Sequence, residues 1–169
     1  MNKLRSYSID DVQVIESRGP WQSKSGGALN VHLALPREVL GAFLDYDNPE
    51  FGRVESQSGY DIRGLRHYAV SGIPAGGIGG NEYHRARTEY VRAAAGRAVW
   101  QCVDISGRER EFLLDGTRGI IVPPFITHTY EALEDNTTLE VLCNTLFIPE
   151  EPLTHDIFTP PIPMQQHLC

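Results

Sequence analysis

Between residues 66 and 148 the chain is a succession of short apolar runs cut by turn signals at regular intervals. Such a pattern buries its apolar faces by stacking antiparallel strands into a sandwich or barrel. The runs fall at 66–71, 88–95, 97–105, 109–115, 119–122, 126–133 and 138–148. Ser106-Gly107-Arg108 and Glu134-Asp135-Asn136 supply tight turns between neighbouring runs. Upstream, 11–17 and 28–34 alternate well enough to be strands, with a turn-rich stretch, 18–27, between them. Pro36 followed by REVLGAFLD predicts a short helix with proline at its first turn. Residues 45–59, broken by Asn48-Pro49, read as a loop, and 72–80 (GIPAGGIGG) as a glycine-rich loop. That loop has neither the GxGxxG spacing of a dinucleotide site nor the lysine of a P-loop, so its role is backbone freedom at the entry to the barrel. The tail, 149–169, is rich in proline and cannot join a central strand. It is expected to wrap an edge or a neighbouring subunit.

The expected fold is therefore all-β, one domain over 1–169 with its core barrel at about 60–150. A chain of 169 residues buries about 70% of its unfolded surface, enough for a core without disulfides or structural metal. A formal net charge of -7 argues against a nucleic-acid surface. Arg85, Arg87 and Arg92 could face a phosphate, but a run of charges is more often a solvated strand face, and that is the expectation. Cys102 and Cys143 lie in apolar runs and read as small core residues; with Cys169 the spacing fits no zinc knuckle. Trp100, alternating with Cys102, reads as core. His32, His67, His155 and His167 have no motif around them and read as structural or exposed. The first residues, MNKLRSYSIDD, lack an apolar stretch of signal-peptide length, and no run approaches a membrane span. The expectation is a reduced, cytoplasmic protein without a membrane partner, in which Asn136-Thr137-Thr138 is a turn rather than a glycosylation site.

The informative stretch runs Gly80-Asn81-Glu82-Tyr83-His84-Arg85-Ala86-Arg87-Thr88-Glu89. Residues two apart on a strand face the same side, so Glu82 and His84 can point together into a barrel. Glu89 joins them if the intervening residues bend or bulge. Val122-Pro123-Pro124-Phe125-Ile126-Thr127-His128 then brings a second histidine, on a strand that a closed barrel lays alongside the first.

These two stretches resemble the paired motifs of the cupin family, G-x5-H-x-H-x(3,4)-E-x6-G and G-x5-P-x-G-x2-H-x3-N. The first stands here as Glu82-x-His84-x4-Glu89-x6-Gly96, the second as Pro123-x-Phe125-x2-His128. Glu82 replaces the first histidine, Phe125 replaces the glycine, and Glu131 and Ala132 stand where the asparagine falls. Within cupins the chain is similar to the nucleotide-sugar branch: the dTDP-sugar 3,5-epimerases (dTDP-4-dehydrorhamnose 3,5-epimerase-like), the 3,4-ketoisomerases, and the cupin half of the capsular-polysaccharide epimerase/reductase. Residues 80–85, Pro123 to His128 and the Phe147-x-Pro149-x2-Pro152 segment carry the likeness to the last. Ile15-Glu16-Ser17-Arg18-Gly19 and Leu65-Arg66-His67-Tyr68 carry the likeness to ketoisomerases.

The resemblance implies a jelly-roll barrel, a homodimer, and an isomerase or epimerase of a nucleotide-linked keto-sugar. Epimerisation beside a ketone needs a base for the C–H proton and a cation or donor for the enolate oxygen. Glu82 and His84 are the candidate bases and Tyr130 a candidate acid or donor. Tyr68, Tyr83 and Arg85 are candidates to bind substrate. His84, Glu89 and His128 are the implied metal ligands, with Glu82 as a fourth. A divalent ion (Zn, Fe, Mn or Ni) suits such mixed imidazole and carboxylate donors, and no organic cofactor is expected. The same ligands also suit a metal-dependent dioxygenase, lyase or hydrolase. A sugar-binding cupin without catalysis is the third reading.

Overall fold

The computed structural model describes residues 7–162. Alternation of burial shows in two of its central strands. Along β7 (Ala98–Val103) the side chains of Ala98, Trp100 and Cys102 are buried, while Val99, Gln101 and Val103 are partly exposed. The same period of two runs along β11 (Thr137–Thr145) as far as Cys143. β8 (Glu109–Leu114), β9 (Arg118–Val122), β10 (Thr127–Ala132) and β6 (Glu89–Ala95) complete the series anticipated downstream. Upstream lie β1 (Gln13–Glu16), β3 (Ala28–Val31) and the long β4 (Arg63–Ile73).

Two antiparallel sheets result, and a third, small one. The first has the order β1-β9-β6-β11-β4. The second has β5 (Ile78–Glu82), then β10, β7 and β8. Their inner faces share one core, in which Val91, Ile120, Leu139 and Val141 from the first sheet meet Trp100, Phe112, Leu114 and Ala132 from the second. Each such large side chain removed from water contributes about 1.5–3 kcal/mol, which is what holds the two sheets face to face. Cys102 and Cys143 are buried free thiols, as the apolar runs around them imply; Cys169 and His167 lie outside the described residues.

Three stretches differ from expectation. The supposed loop 45–59 contains a helix, α2 (Pro49–Ser58), which follows the expected α1 (Arg37–Leu44). Asn48-Pro49 is the start signal of α2 rather than a break. The Asn48 side chain accepts from the Glu50 N–H, Pro49 takes the first turn, and Gly59 closes the helix in the left-handed region. The end of the glycine loop, from Ile78 on, is strand β5, whose ladder to β10 is made by backbone groups that need no side-chain pattern. The first part of the turn-rich stretch is strand β2 (Arg18–Gln22), paired with β3 as a separate hairpin. The proline-rich tail turns back onto the barrel: Tyr83 and Phe158 exchange backbone hydrogen bonds of 3.0 Å. Among the described residues no helix is long and apolar enough to cross a membrane.

Candidate functional site

A bulge sets the first site residue. Pairing between β5 and β10 runs His128↔Glu82, then Thr129↔Gly80, so Asn81 is the extra residue. Gly80 and Asn81 both adopt positive φ, 82° and 61°. Glycine is required at 80, where a Cβ would come within 2.8 Å of the His128 carbonyl oxygen. The bulge therefore lays Glu82 directly across from His128. Beyond Glu82 the chain leaves the sheet and turns through 84–88 before entering β6 at Glu89. The carboxylate of Asp156, in the tail, holds this turn: it accepts from the backbone N–H groups of Arg85 (3.1 Å), Ala86 (3.0 Å) and Arg87 (2.8 Å). Helix α2 backs it, with Phe51 and Val54 packed on Ala86 and the Asn48 side chain donating to the Arg85 carbonyl at 2.9 Å.

The four expected side chains converge. Nε2 of His84 is 3.9 Å from Glu82 Oε1 and 3.5 Å from Glu89 Oε1. Nε2 of His128 is 3.9 Å from Glu82 Oε1 and 3.9 Å from Glu89 Oε2. Backbone carbonyls fix both rings. His84 Nδ1 donates to the Asp156 carbonyl at 2.7 Å, and His128 Nδ1 lies 3.3 Å from the Ile126 carbonyl. With Nδ1 protonated, a neutral ring presents the bare Nε2 lone pair to the cluster. Trp100 stacks on one face of His128 (5.2 Å between centroids) and on Tyr130 (5.4 Å). Tyr130, two residues beyond His128 on β10, lies with it in a cavity of about 180 Å³ lined also by Glu82, Glu89, Trp100 and Leu139. Outside it a second cavity, about 350 Å³, is lined by Arg66, Tyr68, Glu82, Arg87, Phe147 and Ile157. Tyr68 and Glu82 line both.

Burial and charge divide the labour among these groups. Burial lowers the pKa of His128 to about 4, with Glu89 opposing and His84 adding to the shift, so the ring is neutral at ordinary pH. Burial alone would raise Glu89; His84, Arg87 and His128 outweigh it and hold the carboxylate well below its usual range. Tyr68 donates to Glu89 Oε1 at 3.3 Å and is raised by burial and by that carboxylate. Tyr130 is raised by burial and by Glu82. Both phenols are therefore proton donors at neutral pH.

Tyr83 and Arg85 line neither cavity. Tyr83 alternates to the opposite side from Glu82 and His84 and stacks between Phe125 (6.3 Å) and Phe158 (5.5 Å). Arg85 turns to α2 and the tail, 3.2 Å from Glu50 and 5.1 Å from the centroid of the Phe158 ring. Nor do Arg85, Arg87 and Arg92 form a solvated face. Each faces a carboxylate, Glu50, Glu89 and Glu140 respectively, and the Arg87 side chain is only 4% exposed. The residues that the sequence reading missed are Arg66, Arg87 and Asp156. For Arg87 a signal exists, since it stands two residues before Glu89, the same same-side spacing that joins Glu82 to His84. For Asp156, some 70 residues from the turn it holds, none does.

The expected metal ligands do not all fit an ion. Glu82, His84 and His128 can each bring one ligand atom within 4.8 Å of the others. Glu89, however, is already engaged: its Oε1 accepts from Arg87 Nη1 at 3.1 Å and from Tyr68. Arg87 Nη1 also lies 3.5 Å from His84 Nε2, against the lone pair that an ion would need. A guanidinium, permanently charged, thus stands where His84 and Glu89 would share a cation.

The sequence matches no protein-family model and no curated protein; the likeness is one of structure. The rmlC epimerase of Mycobacterium tuberculosis superposes with a TM-score of 0.58 at 19% identity, over 87% of this chain and 70% of that one. QdtA, a sugar 3,4-ketoisomerase from Thermoanaerobacterium thermosaccharolyticum in complex with TDP, superposes at 0.59 and 12%, over 95% and 93%. The dTDP-4-dehydrorhamnose 3,5-epimerase of Bacillus anthracis, with TDP and PPi bound, gives 0.59 and 15%, over 88% and 81%. The chain has the cupin fold. The cupin arrangement explains why residues as far apart as Glu82 and His128 meet: antiparallel closure lays β5 beside β10, and the facing sheet brings Glu89 to the same end of the barrel.

Proposed function

We propose that this protein is an isomerase or epimerase of a nucleotide-linked keto-sugar, working by proton transfer beside the carbonyl. The observation that carries the reading is the meeting of Glu82 with two imidazole nitrogens, each 3.9 Å from its Oε1, at a carboxylate that lines both cavities. A base at that junction reaches a sugar ring in the inner cavity, while the phosphates of a nucleotide remain in the outer one beside Arg66. The Arg66 guanidinium is held over the Tyr68 and Phe147 rings, each at 5.0 Å. Cations suit a diphosphate. Solved structures of the same fold that carry TDP or a TDP-sugar support this choice of substrate.

In the reaction, Glu82 or His84 takes the proton from the carbon next to the ketone. The C–H electron pair becomes the C=C bond, and the carbonyl π pair moves to oxygen. Protonation of the same carbon from the other face gives an epimer; protonation of the former carbonyl carbon, with the proton of the adjacent hydroxyl passing to the former carbonyl oxygen, gives the shifted ketone. Tyr68 and Tyr130, both kept protonated, are the donors within reach of the cavities. The family's motif places a histidine at position 82, so a carboxylate doing this work is the chain's own variation.

The test is incubation with TDP-4-keto-6-deoxyglucose in D2O, followed by NMR. Deuterium entering beside the carbonyl, and not with Glu82→Gln, is the expected result. Absence of both exchange and thermal stabilisation by TDP would remove the reading, whereas stabilisation without exchange would leave a binding protein. We infer in addition a cytoplasmic homodimer, for which the exposed Leu65, Val70 and Leu146 on and beside the edge strand β4 supply an apolar surface.

A further inference from the structure

Arg87 stands against two of the expected metal-binding donors, His84 and Glu89. Nη1 lies 3.1 Å from Glu89 Oε1 and 3.5 Å from His84 Nε2. Metal–ligand bonds of about 2.0–2.2 Å to those two atoms would set an ion against the same guanidinium nitrogen. Two like charges at contact distance in a site shielded from water repel strongly, and arginine cannot relieve the conflict by losing its proton. The side chain is also not free to withdraw. Nη2 donates to the His155 carbonyl at 2.6 Å, and the backbone N–H donates to Asp156 at 2.8 Å. The tail therefore fixes the guanidinium from the far side.

Arg87 also has hydrogen-bonding capacity in reserve. Its Nε is buried without a hydrogen-bond partner among the described residues. The side chain lines the outer cavity together with Tyr68 and Glu82. A buried cation with an unsatisfied N–H beside the proposed base is suited to an oxygen that gains negative charge.

We propose that Arg87 is a built-in cation that takes the place of a metal ion: it excludes divalent metal from the pocket and offers its guanidinium to the enolate oxygen of the substrate. The exclusion of metal stands independently of the keto-sugar reading; the contact with the enolate rests on it. Arg87 makes and breaks no covalent bond in this scheme, and the proton moves only between substrate and the acid–base groups.

The experiment has two arms. In the first, wild type, Arg87→Gln and Arg87→Gln/His84→Ala are purified from medium supplemented with zinc, iron, manganese and nickel salts. Bound metal is measured by elemental analysis, and each protein is titrated with Co2+ while its visible spectrum and melting temperature are followed. Wild type should carry only substoichiometric metal and show neither ligand-field bands nor a thermal shift. Arg87→Gln should bind Co2+ at least about tenfold more tightly and melt higher in its presence, and the added His84→Ala should abolish both effects. Should Arg87→Gln fail to fold because it leaves Glu89 buried and unpaired, Arg87→Gln/Glu89→Gln removes that charge and keeps Glu82, His84 and His128 for the same titration. A wild type holding about one metal per chain that is lost in His84→Ala would overturn the proposal, as would a folded Arg87 variant that gains no Co2+ site. No substrate enters this arm, so its failure is distinct from failure of the keto-sugar reading. In the second arm, once wild-type proton exchange is established, Arg87→Lys should lower kcat by about 10²-fold or more with little change in KM. An unchanged kcat would refute the contact with the enolate.

Discussion

At the scale of single residues, the site is a set of imidazoles and carboxylates in which burial keeps His128 neutral and charged neighbours keep Glu89 ionised. Removal of the acid–base groups gives the most direct prediction. Glu82→Gln keeps the shape and loses the base, so turnover should fall by about 10²–10⁴-fold; His84→Ala should do the same if that ring shares the proton. Steady-state rates and the D2O exchange measured on one preparation would check both, and full retention of rate in each variant would exclude these groups. His128 carries a second prediction. In the folded protein its pKa is about 4, against an ordinary 6.5 in the unfolded chain. As pH falls from 6.5 toward 4, the unfolded chain binds the proton that the folded protein refuses, and stability drops. Between about pH 7 and about pH 4.5 this amounts to about 2–3 kcal/mol. Glu89, depressed below its usual range, adds a further loss as pH falls below about 4.5. Urea unfolding of wild type at the two pH values should show this difference, and His128→Asn should show less of it; equal losses in both would reject the assignment to His128.

Among the elements, those with a side-chain pattern were legible and those made by the backbone were not. β7 and β11 show themselves as apolar runs bounded by turn signals, and the two stretches that carry the motifs contain His84 and His128, which do meet. β5 reads Ile-Gly-Gly-Asn-Glu, with a single apolar side chain, so its pairing leaves no trace in hydropathy. α2 rests on Phe51 and Val54, too few apolar residues to display a helical period, although Asn48-Pro49 does mark its start. The clamp by Asp156 joins segments whose neighbours in sequence say nothing of each other. Phe125 shows how an element keeps its geometry after losing its usual residue. Where the cupin motif has glycine, Phe125 adopts φ 58°, its N–H donates to the His84 carbonyl at 2.8 Å, and its ring is buried against Tyr83. The left-handed conformation costs a non-glycine residue about 1–2 kcal/mol, while loss of the ring costs about 3–5 kcal/mol. Both Phe125→Ala and Phe125→Gly should therefore destabilise the protein, with glycine the milder by about 1 kcal/mol because it alone escapes the strain. Denaturation of the two variants side by side tests this, and a more stable alanine variant would contradict the account of the turn.

For the whole molecule, the open edge of the five-stranded sheet joins architecture to function. β4 lies at that edge, with Leu65 55% and Val70 40% exposed, and Leu146 and Phe147 follow directly from its neighbour β11. An edge strand carrying unpaired backbone groups and apolar side chains is a template for association. The same region reaches the outer cavity, which Phe147 lines and where it supports Arg66. A second copy seated along β4 would cover this apolar strip and stand beside the mouth of the cavity. Light scattering should accordingly give a dimer, and Leu65→Glu/Val70→Lys should give a folded monomer, since both side chains are exposed at the edge. If the paired subunit shapes the cavity mouth, the monomer should also bind TDP more weakly than the dimer, while the inner cluster of Glu82, His84 and His128, buried within one barrel, should remain intact. A wild type that is monomeric at all concentrations tested would remove the partner from the argument and leave the cavity mouth to this chain alone.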